Sequence, residues 1–145
     1  MTDMPVVPTI QAKLLDLRDS LAVVGEESVS IHQSVGRILS QALLATRDSP
    51  AADVSAMDGY AIRLKDLSSK LPIQTAIFAG SKPVPLESDK AIRILTGAVI
   101  PEGAEIVVRK EDAVEQDGSV SFSSAVSQLR RGSNIRVQAE NARAG

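Results

Sequence analysis

The sequence predicts an α+β protein that is mostly β: a β-rich lobe, with one N-terminal amphipathic helix belonging to an adjoining lobe. Three observations carry this. Apolar residues recur at helical spacing near the N-terminus, short apolar stretches divided by turn residues fill the chain from Asp48 onward, and no strand–helix–strand alternation follows.

Ile10, Leu14, Leu17 and Leu21 fall at i, i+4, i+7 and i+11, which places them on one helical stripe. Thr9, after Pro8, is the expected N-cap, and Gly25 lies beyond the expected end. Val29-Ser30-Ile31 alternates as a short strand, and Ser34 to Ser40 has room for two helical turns before Ala42-Leu43-Leu44. The helix stripe needs cover and the chain offers no second long helix, so it is expected to pack on a partner or on a further segment.

From Asp48-Ser49-Pro50 the expected strands are Ile73 to Phe78, Ala91 to Leu95, Ile106 to Arg109, Ser119 to Phe122 and Asn134 to Val137. Turn residues separate them at Ala79 to Pro83, Pro101 to Gly103 and Gln116 to Ser119, and the Asp117-Gly118 pair there reads as a hairpin connection. The domain reading is a β-rich lobe over 49–131, with 1–48 and 132–145 forming the helix and connecting segments of a discontinuous second lobe.

Composition narrows the function classes. The chain has 145 residues and is 43% hydrophobic but only 2% aromatic, so its core is built from Val, Ile, Leu and Ala, and stacking platforms for nucleobases are scarce. A formal net charge of -2 supplies no general attraction to nucleic acid or to an anionic membrane. No apolar run reaches the roughly 18 residues a spanning helix needs, and Met1-Thr2-Asp3 lacks the charged start of a signal peptide. With no Cys there is no disulfide or thiolate chemistry, and the single His32 builds neither a metal cluster nor a triad. A soluble, cytoplasmic protein with no nucleic-acid or membrane partner is expected.

Two segments stand out chemically. Ser55-Ala56-Met57-Asp58-Gly59-Tyr60 gathers a hydroxyl, a carboxylate and a phenol around an Asp-Gly pair. Either Gly59 exposes the Asp58 carboxylate to ligate a hydrated cation or accept from a hydroxyl, or the pair is a hairpin turn whose carboxylate caps its own backbone. Arg93 to Ala98 reads as a strand ending at Thr96-Gly97. Either the Thr96 hydroxyl and the following backbone N–H groups receive phosphate or molybdate oxygens, or this is a turn with Gly97 placed for its backbone angles. Charge adds a third candidate: Arg130, Arg131, Arg136 and Arg143 stand against Glu140 alone, which suits either an anionic ligand or a solvated strand. The acids between Glu102 and Asp117 read as a solubilising face.

Taken in order, Gly36-Arg37-Ile38-Leu39, Ser55 to Arg63, Arg93 to Pro101 with Gly103-Ala104, Val107-Val108 and Gly132 to Arg136 resemble the N-terminal region of the molybdopterin molybdenumtransferases, the MoeA and gephyrin E-domain family. Ser-Ala-Met-Asp-Gly-Tyr-Ala is the most specific of these motifs. The resemblance implies an enzyme of molybdenum cofactor biosynthesis that inserts molybdate into adenylylated molybdopterin with magnesium, as a homodimer. It implies Asp58 and Thr96 as catalytic residues and Ser55, Met57, Tyr60, Gly97, Arg136 and Glu140 as substrate-binding ones.

Val54 stands where Asn often precedes that motif, and Ala139 and Asn141 replace the Gly and Asp of a Gly-Glu-Asp segment around Glu140. The chain reaches Gly145, whereas the family continues into pterin-binding and C-terminal lobes. Alone it is expected to be inactive and to hold no cofactor. A non-catalytic stand-alone binding or dimerisation module with the same fold is the alternative.

Overall fold

The structure, a computed structural model, describes residues 9–22 and 24–145; Pro8 and Met1 to Asp3 lie outside them. The chain divides into two compact units, Met1–Ala42 and Leu43–Gly145.

In the first unit, α1 spans Ile10–Ser20. Thr9 is its N-cap as expected: in extended conformation, its hydroxyl oxygen accepts from the Ala12 N–H at 3.2 Å. The stripe is also there, with Ile10, Leu14 and Leu17 all exposed. The helix ends earlier than Gly25. Leu21 is already extended, and the Ser20 hydroxyl donates to the Leu17 carbonyl at 2.7 Å.

Neither of the next two expectations is met. Val29 to Ile31 is not a strand; Ile31–Gln33 makes a single 3-10 turn, and among the described residues no strand pairs with it to take its backbone groups. Ser34 to Ser40 forms no helix, because Gly36 at φ +80° turns the chain out of the right-handed region.

The second unit is built on strands β1 (Val54–Ser55), β2 (Gly59–Ile62), β3 (Leu71–Ile77), β4 (Ala91–Ile94), β5 (Ile106–Arg109), β6 (Ala113–Gln116), β7 (Ser119–Phe122) and β8 (Ile135–Arg136). Six form one sheet in the order β5-β2-β4-β3-β7-β6, antiparallel except for the parallel β3–β4 pair, and β1 pairs with β8 separately. β5 and β7 fall where the sequence places them. β3 begins two residues early and ends one early, at Ile77. The β6–β7 hairpin closes through Asp117 (φ +52°) and Gly118 (φ +70°), the two positive angles that a two-residue connection of this twist requires.

The most consequential correction is β2, which the sequence reading treats as part of a turn segment. It is an interior strand of the sheet, bonded to β4 on one side and β5 on the other, and all four of its residues are buried. Both sheet faces carry apolar layers: Tyr60, Ile62, Ile106 and Val108 on one, Ala61, Ile92, Ile94 and Val107 on the other. A strand covered on both faces has no apolar–polar alternation to reveal it. Gly59 opens this strand because a Cβ there would stand 1.9 Å from the Val108 carbonyl oxygen.

Residues 132–145 return along the start of this unit. Ser49 accepts from Asn141 N and donates to the Ala142 carbonyl, and Ala56 N donates to Asn134. These bonds bring the Arg136 segment beside β1.

Candidate functional site

Asp58 occupies the bend between β1 and β2, and Thr96 the bend after β4. Because β2 and β4 are antiparallel neighbours with Gly59 opposite Ile94, the start of one strand meets the end of the other. The Asp58 Oδ1 accepts twice from Thr96, from the backbone N–H at 2.9 Å and from the hydroxyl at 2.8 Å. The carboxylate therefore binds across strands rather than capping its own turn. Oδ2 faces the Lys110 ammonium at 3.6 Å, while the Lys110 N–H donates to the Asp58 carbonyl at 3.0 Å. The Thr96 N–H first, then its hydroxyl and the nearby Lys110 charge, hold the Asp58 carboxyl below the usual carboxylate range.

Ser55 and Gly97 build the floor behind this pair. Ser55 is buried; its hydroxyl donates to the Met57 carbonyl at 2.6 Å and accepts from the Met57 N–H, which fixes the bend carrying Asp58. Gly97, at φ +80°, donates its N–H to the Ser55 carbonyl, and Ala98 donates to Leu95. With the Thr96 N–H on Asp58, every backbone donor from Thr96 to Ala98 is spent. Of the two readings of this segment the turn is the one seen: its N–H groups hold the loop and Asp58 in place and are not left for an oxyanion. Met57 is 41% exposed at the rim.

Beside Asp58 opens a cleft of about 280 Å³ lined by Asp58, Gly59, Tyr60, Arg93, Ile94, Leu95 and Lys110. Tyr60 and Arg93 sit directly opposite each other on β2 and β4. The Tyr60 hydroxyl donates to Glu115 Oε2 at 2.5 Å, and Arg93 pairs with the same oxygen. Burial, then the Glu115 contact, raises the Tyr60 phenol above its ordinary range, while the Tyr60 hydroxyl and Arg93 lower Glu115. The Tyr60 ring packs edge-on against Phe122, with centroids 6.2 Å apart.

Asp58, Thr96 and Tyr60 thus converge, with Ser55, Met57 and Gly97 shaping their bends. Arg136 and Glu140 do not line the cleft. Arg136 pairs with Val54 across β8–β1, and its guanidinium donates to Glu140 at 3.0 Å and to Asn141 at 2.7 Å. Ala139, between them, takes φ +62°, a conformation that favours glycine.

Lys110 and Arg93, which line the cleft, and Glu115, which bonds to Tyr60 and Arg93, are residues that the sequence reading did not single out. Lys110 and Glu115 look like part of a solubilising acidic stretch, and only the register of β5 and β6 turns them toward Asp58 and Tyr60. Arg93 shares a sheet face with Ala91, two residues before it, and is exposed where Ala91 is buried.

A family model described as "MoeA N-terminal region (domain I and II)" matches residues 8–145. Among curated relatives, the molybdopterin molybdenumtransferase of Haemophilus influenzae is 39% identical over 102 residues, 67% of this chain and 25% of that protein. The Synechococcus elongatus enzyme of the same name is 32% identical over 128 residues, 82% of this chain and 31% of that one. A Staphylococcus aureus enzyme, also so named, is 31% identical over 97% of this chain and 34% of its own length. The crystal structure of the molybdopterin biosynthesis moeA protein from Pyrococcus horikoshii OT3 superposes with a TM-score of 0.71 at 29% identity, covering 82% of this chain and 33% of that one. The chain spans between a quarter and about a third of the length of these relatives.

Proposed function

As a member of the MoeA N-terminal-region family, the chain supplies, we propose, the Asp58 side of the active site in a molybdopterin molybdenumtransferase of molybdenum cofactor biosynthesis. The observation that carries this is the double hydrogen bond from Thr96 to one Asp58 oxygen at the mouth of a cleft. It favours the ionised carboxylate and leaves its second oxygen to Lys110 and the cleft. The reading includes adenylylated molybdopterin as substrate, molybdate as the group inserted, a homodimeric cytoplasmic enzyme, and a site completed by residues outside this chain.

Magnesium fits what the residues offer. Among the described residues no three His, Asp or Glu side chains converge to enclose a metal, and Asp58 presents one oxygen, Oδ2, whose partner is the exposed Lys110 ammonium at 3.6 Å. Magnesium keeps several waters and is commonly held by one or two carboxylates together with substrate phosphates, so Asp58 Oδ2 would hold it through direct or water contact. Bound there, the ion would neutralise charge on phosphoryl and molybdate oxygens. The chain's own part is to orient Asp58 through Thr96 and Ser55, and to wall the cleft with Tyr60 and Arg93.

The test is molybdate insertion by the full-length protein that contains this chain, carrying Asp58→Ala. Asp58 is 43% exposed on its bend, so the variant is expected to fold and to lose cofactor formation. Insertion at the wild-type rate would remove Asp58 from the site.

A further inference from the structure

We infer that Lys110 and Arg93 form the oxyanion-binding side of the Asp58 cleft, and that they take a phosphoryl or similar tetrahedral oxyanion arriving with a divalent cation on Asp58. This rests on the reading of the cleft as a ligand site and specifies which chemistry it holds.

The first argument is elimination among donors. An oxyanion needs N–H or O–H groups aimed at it. The backbone N–H groups of Thr96, Gly97 and Ala98 are bonded to Asp58, Ser55 and Leu95, the Thr96 hydroxyl donates to Asp58, and the Tyr60 hydroxyl donates to Glu115. What remains on the cleft wall is the Arg93 guanidinium and the Lys110 ammonium. Arg93 meets Glu115 through one terminal nitrogen of a group with five N–H donors, so most of its fork stays available.

The second argument is placement. Arg93 extends from β4 opposite Tyr60, and Lys110 follows β5 with its N–H on the Asp58 carbonyl. Their backbones are fixed on β4 and immediately after β5, the two strands that flank β2. Lys110 is held loosely at its tip: Nζ stands 3.6 Å from Asp58 Oδ2 and its side chain is 61% exposed.

The third argument is charge. Asp58 and Glu115 balance the two cations, so a bare oxyanion meets no net positive charge and a Lys110 ammonium already paired with Asp58 Oδ2. A divalent cation on Oδ2 changes this, because it displaces the Lys110 ammonium from the carboxylate and frees it for the oxyanion. Cation and oxyanion therefore strengthen each other's binding, and the coupling is reciprocal.

The experiment is calorimetric titration of the chain with inorganic pyrophosphate, with and without equimolar magnesium. Saturable binding is expected below about 10 mM, weaker by about tenfold or more when magnesium is omitted and in Lys110→Gln or Arg93→Lys. Lys82→Gln, an exposed lysine elsewhere on the same unit, should leave it unchanged. No saturable binding, binding indifferent to magnesium, or equal weakening by Lys82→Gln overturns the inference. Failure here leaves the Asp58→Ala insertion result standing. Loss of that result with pyrophosphate binding intact would instead refute the transferase reading alone. Lys110 is exposed, so its variant tests the contact without risk to folding, and unchanged melting temperatures confirm it.

Discussion

Thr96 spends both of its donors on a single oxygen of Asp58, at 2.9 Å and 2.8 Å, and so leaves the other oxygen facing Lys110. Two residues 38 positions apart are locked together because β2 and β4 run antiparallel, with Gly59 opposite Ile94.

Removing the hydroxyl with Thr96→Val should therefore raise the Asp58 pKa toward the ordinary carboxylate range. A depressed folded-state pKa contributes stability that is present above the unfolded value and lost as pH falls through the folded one. In the variant less of that stability exists, so the acid unfolding midpoint should move to higher pH. Carboxyl-carbon NMR titration of Asp58 reads the first effect, and circular dichroism against pH reads the second. An unmoved Asp58 resonance would show that the hydroxyl does not engage it in solution.

Tyr60 is the only tyrosine in a chain without tryptophan, so near-ultraviolet absorbance against pH reports it alone. Its folded pKa is raised, by burial and then by Glu115. Its contribution to stability is thus fully present below the ordinary phenol range and lost as pH rises through the folded value. Glu115→Gln should bring the titration midpoint down while leaving it above that of free tyrosine, since burial remains. A midpoint that stays put would assign the whole shift to burial.

Gly59→Ala should be among the most destabilising single substitutions in the molecule. The added methyl would stand 1.9 Å from the Val108 carbonyl oxygen, so β2 and its neighbour β5 would have to part. We expect a loss of about 3 kcal/mol or more in urea unfolding. Gly25→Ala, where nothing lies within 4 Å and φ is not in the left-handed region, should be near neutral. Similar values for the two would contradict the strand pairing.

Ala139→Gly should stabilise the chain. A left-handed φ costs an L-residue about 1–2 kcal/mol, while glycine's extra unfolded-state freedom returns roughly 0.5–1 kcal/mol. The net gain should be about 0.5–1 kcal/mol, seen as a higher urea midpoint with an unchanged slope. A lower midpoint would mean that Ala139 has another conformation.

Much of the second unit was legible before any coordinates. β5, β7 and the Asp117-Gly118 turn are set by near neighbours: apolar residues bounded by turn residues, and a pair that tolerates positive φ. The same holds for Thr9, which caps α1 through a residue three positions away. Val29 to Ile31 and Ser34 to Ser40 were misread because alternation and spacing say nothing about whether a partner strand is at hand, or that Gly36 will turn the backbone.

By itself, then, the sequence determined the mostly-β class, the capped helix, the hairpin, and a motif order specific enough to give the family. It also named Asp58 and Thr96. What only the tertiary structure decided is that Gly59 to Ile62 is an interior strand and that Asp58 binds Thr96 across the sheet. It likewise showed that the Thr96 to Ala98 donors are consumed locally, that Lys110 and Arg93 line the cleft, and that Glu115 holds Tyr60 and Arg93. The physical reason is one of range. Propensity, capping and turn chemistry act over three or four residues, whereas burial on both sheet faces and cross-strand hydrogen bonds depend on register between strands tens of residues apart.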